Sequence, residues 1–155
     1  MTGRHAQDFP AHLSSDGARH LAQGTWSVRP VRSTRVELEG TFESSGKARR
    51  TVELHLRGFV GDVQMHSICL LASELITNAI KHGEGNNGVV LYLAASTTCV
   101  RVEVCDGGSG FDLPRAPRPA GAPGGHGLRI LDRLASRWGV AGDGGTCVWF
   151  ELDLV

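Results

Sequence analysis

The chain carries almost no electrostatic signature. Sixteen basic and sixteen acidic side chains leave a formal net charge of zero over 155 residues. Nothing global therefore draws it to nucleic acid or to an anionic membrane surface. It lacks any apolar run near the roughly 20 residues that cross a bilayer as a helix. The opening MTGRHAQDFPAHLSSDG lacks the apolar segment of a secretory signal, and a cytoplasmic location is the expectation. The four cysteines, Cys69, Cys99, Cys105 and Cys147, form no CxxC pair, and each sits in an apolar segment. That argues against zinc and for buried, reduced thiols. His5, His12 and His20 show no metal-ligand spacing. There are no internal repeats, no G-x-x-x-x-G-K-S/T, and no G-x-G-x-x-G after a strand. What the chain has in excess is glycine, with 21 residues, many of them between residues 107 and 145. Such a cluster points to loops shaped by backbone rather than side chains.

Residues 1–33 are polar and weakly periodic, which reads as a flexible leader before a domain over 34–155. A half-buried strand is expected from Arg35 to Phe42, where Val36, Leu38 and Phe42 alternate with polar residues. Ser44 and Ser45 are candidate caps for a following helix, whose face is Ala48, Val52, Leu56 and Phe59. Gly61 breaks it and Asp62 caps a second helix, about Val63 to His82. Strands follow at Val89 to Ala95 and at Val100 to Cys105, close enough for a hairpin. A helix over Gly127 to Arg137, a short strand over Trp138 to Ala141 and a last strand over Thr146 to Leu154 complete the domain. Strands in runs rather than strict alternation with helices indicate α+β: a mixed or antiparallel sheet with helices on one face.

Three stretches are left over once structure is accounted for. In Leu71–Gly83, LASELITNAIKHG, Leu71, Leu75 and Ala79 make an apolar helical stripe. Glu74 and Asn78 lie one turn apart on that same helix. Burying a carboxylate there costs several kcal/mol unless it is paired or belongs to a site. Taken alone, the pair reads equally well as solvent-facing. The second stretch is Asp106-Gly107-Gly108-Ser109-Gly110 after a strand. The third is Gly124-Gly125-His126-Gly127 before a helix. By itself each reads as a turn. Together they fit a nucleotide. A glycine-led helix N-terminus accepts phosphate, and an Asp at a strand end can accept hydrogen bonds from a purine amino group. Asn78 can offer an oxygen to magnesium, and Glu74 can accept a proton from an attacking hydroxyl.

ELITNAIKH resembles the N box of the GHKL ATPases, which share the Bergerat ATP-binding fold. DGGSG resembles their G1 box and GHGLRIL their G2 box. Gly145-Thr146 is similar to the late glycine-threonine pair near adenine. The short length, the helix beginning SSGKARRTV and the ending TCVWFELDLV are most similar to anti-sigma-factor serine kinases of actinobacterial type. The resemblance covers about residues 35–155. It implies a two-layer α/β sandwich, and ATP and Mg²⁺ as ligands. Glu74 becomes the general base and Asn78 the magnesium ligand. Asp106 would meet the adenine amino group, with Gly108 and Gly110 shaping that pocket. Gly125, His126, Gly127 and Leu128 would hold phosphates, and Thr146 would support the adenine end. Residues 111–124 would form a lid, stiffened by Pro114, Pro117, Pro119 and Pro123. His126 departs from the small or basic residue common at its position in the G2 box.

The implied function is phosphorylation of a serine on a STAS-domain anti-anti-sigma partner, together with binding of a sigma factor. The implied state is a homodimer, without direct nucleic-acid or membrane contact. The alternative is a nucleotide-binding module that sequesters its partner with little phosphotransfer. A third option is the ATPase half of a split two-component system. No dimerisation helix pair with a phosphorylatable histidine is evident, and neither His55 nor His66 has an acidic residue directly after it.

Overall fold

The computed structural model describes residues 30–82, 88–106, 126–142 and 146–154. In chain order these form strand β1 (Arg32–Leu38), helix α1 (Glu43–Leu56), helix α2 (Asp62–His82) and the strands β2 (Val89–Ala95) and β3 (Cys99–Asp106). Helix α3 (His126–Leu134) and the strands β4 (Arg137–Gly142) and β5 (Thr146–Asp153) follow. One five-stranded sheet has the order β1-β2-β3-β5-β4. Every neighbouring pair in it is antiparallel. The α+β expectation holds, with a sheet that is antiparallel throughout the described residues rather than mixed.

Strand β1 starts and ends earlier than the alternation of Val36, Leu38 and Phe42 predicts. Its ladder with β2 runs from Arg32↔Ala95 to Leu38↔Val89, so the length of β2 sets its limits. Phe42 leaves the sheet, becomes the N-cap of α1 and is 63% exposed. Ser44 and Ser45 correct the capping expectation. Both lie inside the first helical turn and donate their hydroxyls back to the carbonyls of Glu39 and Phe42, so neither caps free N–H groups. Of the expected α1 face, Ala48, Val52 and Leu56 are fully buried, but the helix ends at Leu56, so Phe59 lies beyond it and packs on the core only partly buried. At the start of α2 the side-chain oxygen of Gln64 accepts the N–H of Gly61 at 2.9 Å. That satisfies one of the donors a helix start leaves open. Gln64 also donates to the carbonyl of Leu154 at 3.1 Å, which ties α2 to the end of β5.

The β2–β3 hairpin turns on one hydroxyl. The Ser96 oxygen accepts the N–H groups of Thr98 and Cys99 at 3.2 and 3.0 Å, a local bond that stands in for further ladder. At the other end of β2, Gly88 has φ +72°, and a Cβ there would lie 2.8 Å from the Leu38 carbonyl oxygen. Only glycine fits that entry.

The helices share one side of the sheet. The main core joins Ile68, Leu71, Ala72, Leu75 and Ile76 of α2 to Leu91, Leu93, Val100, Val102, Val104, Val148 and Phe150 of the strands. Fully burying each large aliphatic side chain is worth about 1.5–3 kcal/mol. The opposite side is built differently. Tyr92, Ala94, Cys99, Cys105 and Cys147 cluster there with Val90. Arg101 bonds Glu103 and Glu151 at 2.7 Å each and lies over the Trp149 ring at 4.2 Å. All four of these residues are buried.

The cysteines require a correction. Cys69 and Cys99 are buried free thiols, as expected, but Cys105 and Cys147 are joined as a disulfide. They are direct partners across β3 and β5. A sequence separation of 42 carries no hint of that register. Among the described residues, no helix is long and apolar enough to cross a membrane.

Candidate functional site

Helix α2 brings Glu74 and Asn78 to the rim of the core. Its buried stripe is Leu71, Ala72, Leu75, Ile76 and Ala79. Glu74 and Asn78 flank that stripe and are half-buried. The neighbouring hydroxyls of Ser73 and Thr77 are turned inward, donating at 2.8 Å to the carbonyls of Cys69 and Ser73. This leaves the carboxylate and the carboxamide as the polar functions of that edge.

The direction of each element decides which of its ends meet. The first turn of α2 is tied through Gln64 to Leu154, just past the end of β5 that lies away from Thr146. The 21-residue helix is roughly 31 Å long, so its C-terminal part, with Asn78, lies toward the other end of the sheet, where β2 starts. Val89 is the Cα partner of Asp106. On its other side Asp106 is opposed to Thr146, and Thr146 to Gly142. The last turn of α2 and the Asp106–Thr146 pair therefore lie at one end of the sheet.

Helix α3 points to the same end. It runs straight into β4 through a tight link, in which Ser136 N–H donates to the Glu151 carbonyl at 2.8 Å and the Trp138 indole donates to Asp132 at 2.8 Å. Strand β4 starts opposite Glu151 and ends opposite Thr146. Helix α3 must run the opposite way, which turns its N-terminal residues, His126, Gly127 and Leu128, toward the Asp106 end. It packs beside α2.

Asp106 is half-buried. It continues the parity of Val100, Val102 and Val104, which belong to the core under the helices. It thus sits on the helix side of the sheet, the side that holds α2 and α3.

Of the residues singled out above, Glu74, Asn78, Asp106, His126, Gly127, Leu128 and Thr146 lie on elements that converge on this end. Gly108, Gly110 and Gly125, and the expected lid over 111–124, lie outside the described residues. Two further positions belong to this end and escaped the sequence reading: Val89 and Gly142, which oppose Asp106 and Thr146. No local signal marks them, because only strand register brings them there.

The donor set suits magnesium better than a tightly held structural metal. Among the described residues there is no group of three or more His, Cys, Asp or Glu that could hold an ion. Asn78 supplies a carboxamide oxygen and Glu74 a carboxylate one turn away. Magnesium is commonly held by one or two protein oxygens, with water and substrate phosphates filling the remaining positions.

Comparison with known proteins bears on the family and the fold. Residues 38–152 match the family described as histidine kinase-like ATPase domain. No curated protein matches the chain. Among solved structures, the chain is similar to the crystal structure of the RsbU and RsbW domains of Rv1364c from Mycobacterium tuberculosis. The TM-score is 0.64 and the identity 22%, over 81% of this chain and 33% of that one. This chain thus spans about a third of the length of that neighbour, and the likeness is one of fold. Since the family match covers most of the sequence, including every element that converges on Asp106, the chain belongs to the histidine kinase-like ATPase domain family.

Proposed function

We propose that this protein binds Mg-ATP at the Asp106 end of the sheet and transfers the γ-phosphoryl group to a serine of a STAS-domain partner, as an anti-sigma-type regulator. The observation that carries the proposal is the convergence of the three motif-bearing ends, with Asp106 opposed to Thr146. The family implies ATP as the ligand. Likeness in fold to a protein that contains an RsbW domain is in keeping with the regulatory class.

Each role follows from the chemistry of its group. The Asp106 carboxylate accepts hydrogen bonds from the exocyclic amino group of adenine, and Thr146 borders the same end. The N-terminal N–H groups of α3 and their dipole favour the phosphates. The Asn78 carboxamide oxygen would hold magnesium, which when bound would neutralise phosphate charge. Glu74 accepts the proton of the serine hydroxyl as that oxygen forms its bond to the γ-phosphorus and ADP departs. A phosphoryl transfer of this kind depends on positioning and electrostatics more than on covalent help from the protein.

The test separates binding from chemistry. Glu74→Ala keeps ATP affinity in calorimetry and lowers phosphotransfer from labelled Mg-ATP by about 100- to 10,000-fold. Asn78→Ala and Asp106→Asn weaken binding itself. If wild-type protein binds ATP yet labels no serine on any STAS-domain partner, a binding-only, sequestering role replaces the kinase.

A further inference from the structure

The disulfide lies one residue from the proposed adenine end on both of its strands. Cys105 precedes Asp106 and Cys147 follows Thr146, and the two pairs are consecutive rungs of the β3–β5 ladder. The sulfurs lie on the side of the sheet away from the helices, in a cluster with Tyr92, Ala94 and Cys99. Asp106 lies on the helix side, by the parity given above. The covalent bond and the candidate binding end are thus on opposite faces of one short piece of sheet, joined by two peptide units.

We infer that Cys105–Cys147 is a thiol–disulfide modification site coupled to nucleotide binding. The inference rests on the nucleotide reading of the Asp106 end. The bond holds β3 and β5 together at the last rung before the Asp106–Thr146 pair. It adjoins that pair directly in the described ladder. When the bond is cut, two thiols replace one disulfide. Unbonded sulfurs need more room than bonded ones. Both residues are 4% exposed in a packed cluster, where added volume displaces neighbours instead of filling space. The adjoining rung carries Asp106 and Thr146, so a displacement at the cysteines bears on them directly. The oxidised form is the better binder, because its pocket end is held in one arrangement before ligand arrives.

The redox step balances with a dithiol as reductant. One thiolate of the dithiol attacks a sulfur of the Cys105–Cys147 bond and forms a mixed disulfide. Its second thiolate then closes the small-molecule disulfide. The protein gains two electrons and two protons as two thiols, and the dithiol loses the same. Burial makes the exchange slow, on the scale of minutes to hours.

The experiment uses the full chain, once air-oxidised and once equilibrated with dithiothreitol. Alkylation after unfolding in urea, followed by mass measurement, counts the thiols. The expected result is that Cys69 and Cys99 alone are modified in the oxidised protein, and all four cysteines in the reduced one. Calorimetry with Mg-ATP then shows affinity at least about fivefold weaker in the reduced form. C105S/C147S binds like the reduced form and ignores the oxidant, whereas C69S/C99S keeps the response. Equal affinity in the two states of wild-type protein overturns the coupling alone. Four modifiable thiols after oxidation overturn the site. Absence of binding in both states of a folded protein sinks the nucleotide reading and this coupling with it.

Discussion

Strand β3 shows two kinds of interior in eight residues. On the helix side Val100, Val102 and Val104 pack into an aliphatic core with Leu91, Leu93 and Phe150. On the other side Arg101 and Glu103 are 1% and 0% exposed, and Glu151 and Trp149 close around them. The first side gains from every methylene removed from water. The second removes charges from water, which is costly, and offsets it only through close ion pairs and hydrogen bonds. The network then runs outward to the surface: Arg137 bonds Glu151 at 2.6 Å and also Asp153. Those carboxylates, Asp153 first and Glu151 second, hold the Arg137 guanidinium even further above its ordinary high pKa. The comparison teaches that strict apolar–polar alternation does not mean one dry face and one wet face. The polar half of β3 is as buried as the apolar half.

The largest expected effect comes from unbalancing the charged side. Arg101→Ala leaves Glu103 and Glu151 buried without their shared cation, and should cost about 3–5 kcal/mol in urea denaturation. Replacing Arg101, Glu103 and Glu151 together by apolar residues of similar size should cost far less. If Arg101→Ala costs under about 1 kcal/mol, as a surface pair does, then the second face is wet in solution and the contrast collapses. On the apolar side, Leu91→Ala should cost about 2–5 kcal/mol, set by how far the cavity closes. Its cost should hardly change with added salt, unlike that of a pair water can reach.

The smallest effect is a slope. Burial raises the pKa of the Cys69 thiol above 9.0, with the nearby Glu53 carboxylate adding to the shift and Arg49 opposing it. The folded state keeps a proton that the unfolded chain releases. Stability from this group is therefore complete below 9.0 and declines as pH rises from there through the higher folded value. Unfolding of Cys69→Ala, followed across that alkaline range, should show a shallower decline than wild type. Equal slopes would mean that Cys69 is hydrated in the native protein.

Much was legible in advance because it depends on local periodicity. The stripe Leu71, Leu75, Ala79 specified a helix and its buried side, and the run Val100, Val102, Val104 a strand. The limits of β1 were not legible, since Phe42 satisfies the alternation but β2 has no residue left to pair with it. The roles of Ser44 and Ser45 were misread for a similar reason: a serine serves a helix start or a preceding carbonyl equally well until the chain path is known. At the site, residue types and order pointed to Glu74, Asn78 and Asp106, and the family resemblance added Thr146. Their gathering at one end depends on strand direction and register, as does the inclusion of Val89 and Gly142.

Sequence alone determined the elements, the α+β class and the family, because side-chain periodicity and glycine placement act over a few residues. Tertiary structure decided which residues became neighbours: Asp106 with Thr146, Cys105 with Cys147, Arg101 between two glutamates. The reason is that a sheet pairs residues by register, and register is settled by the packing of the whole domain.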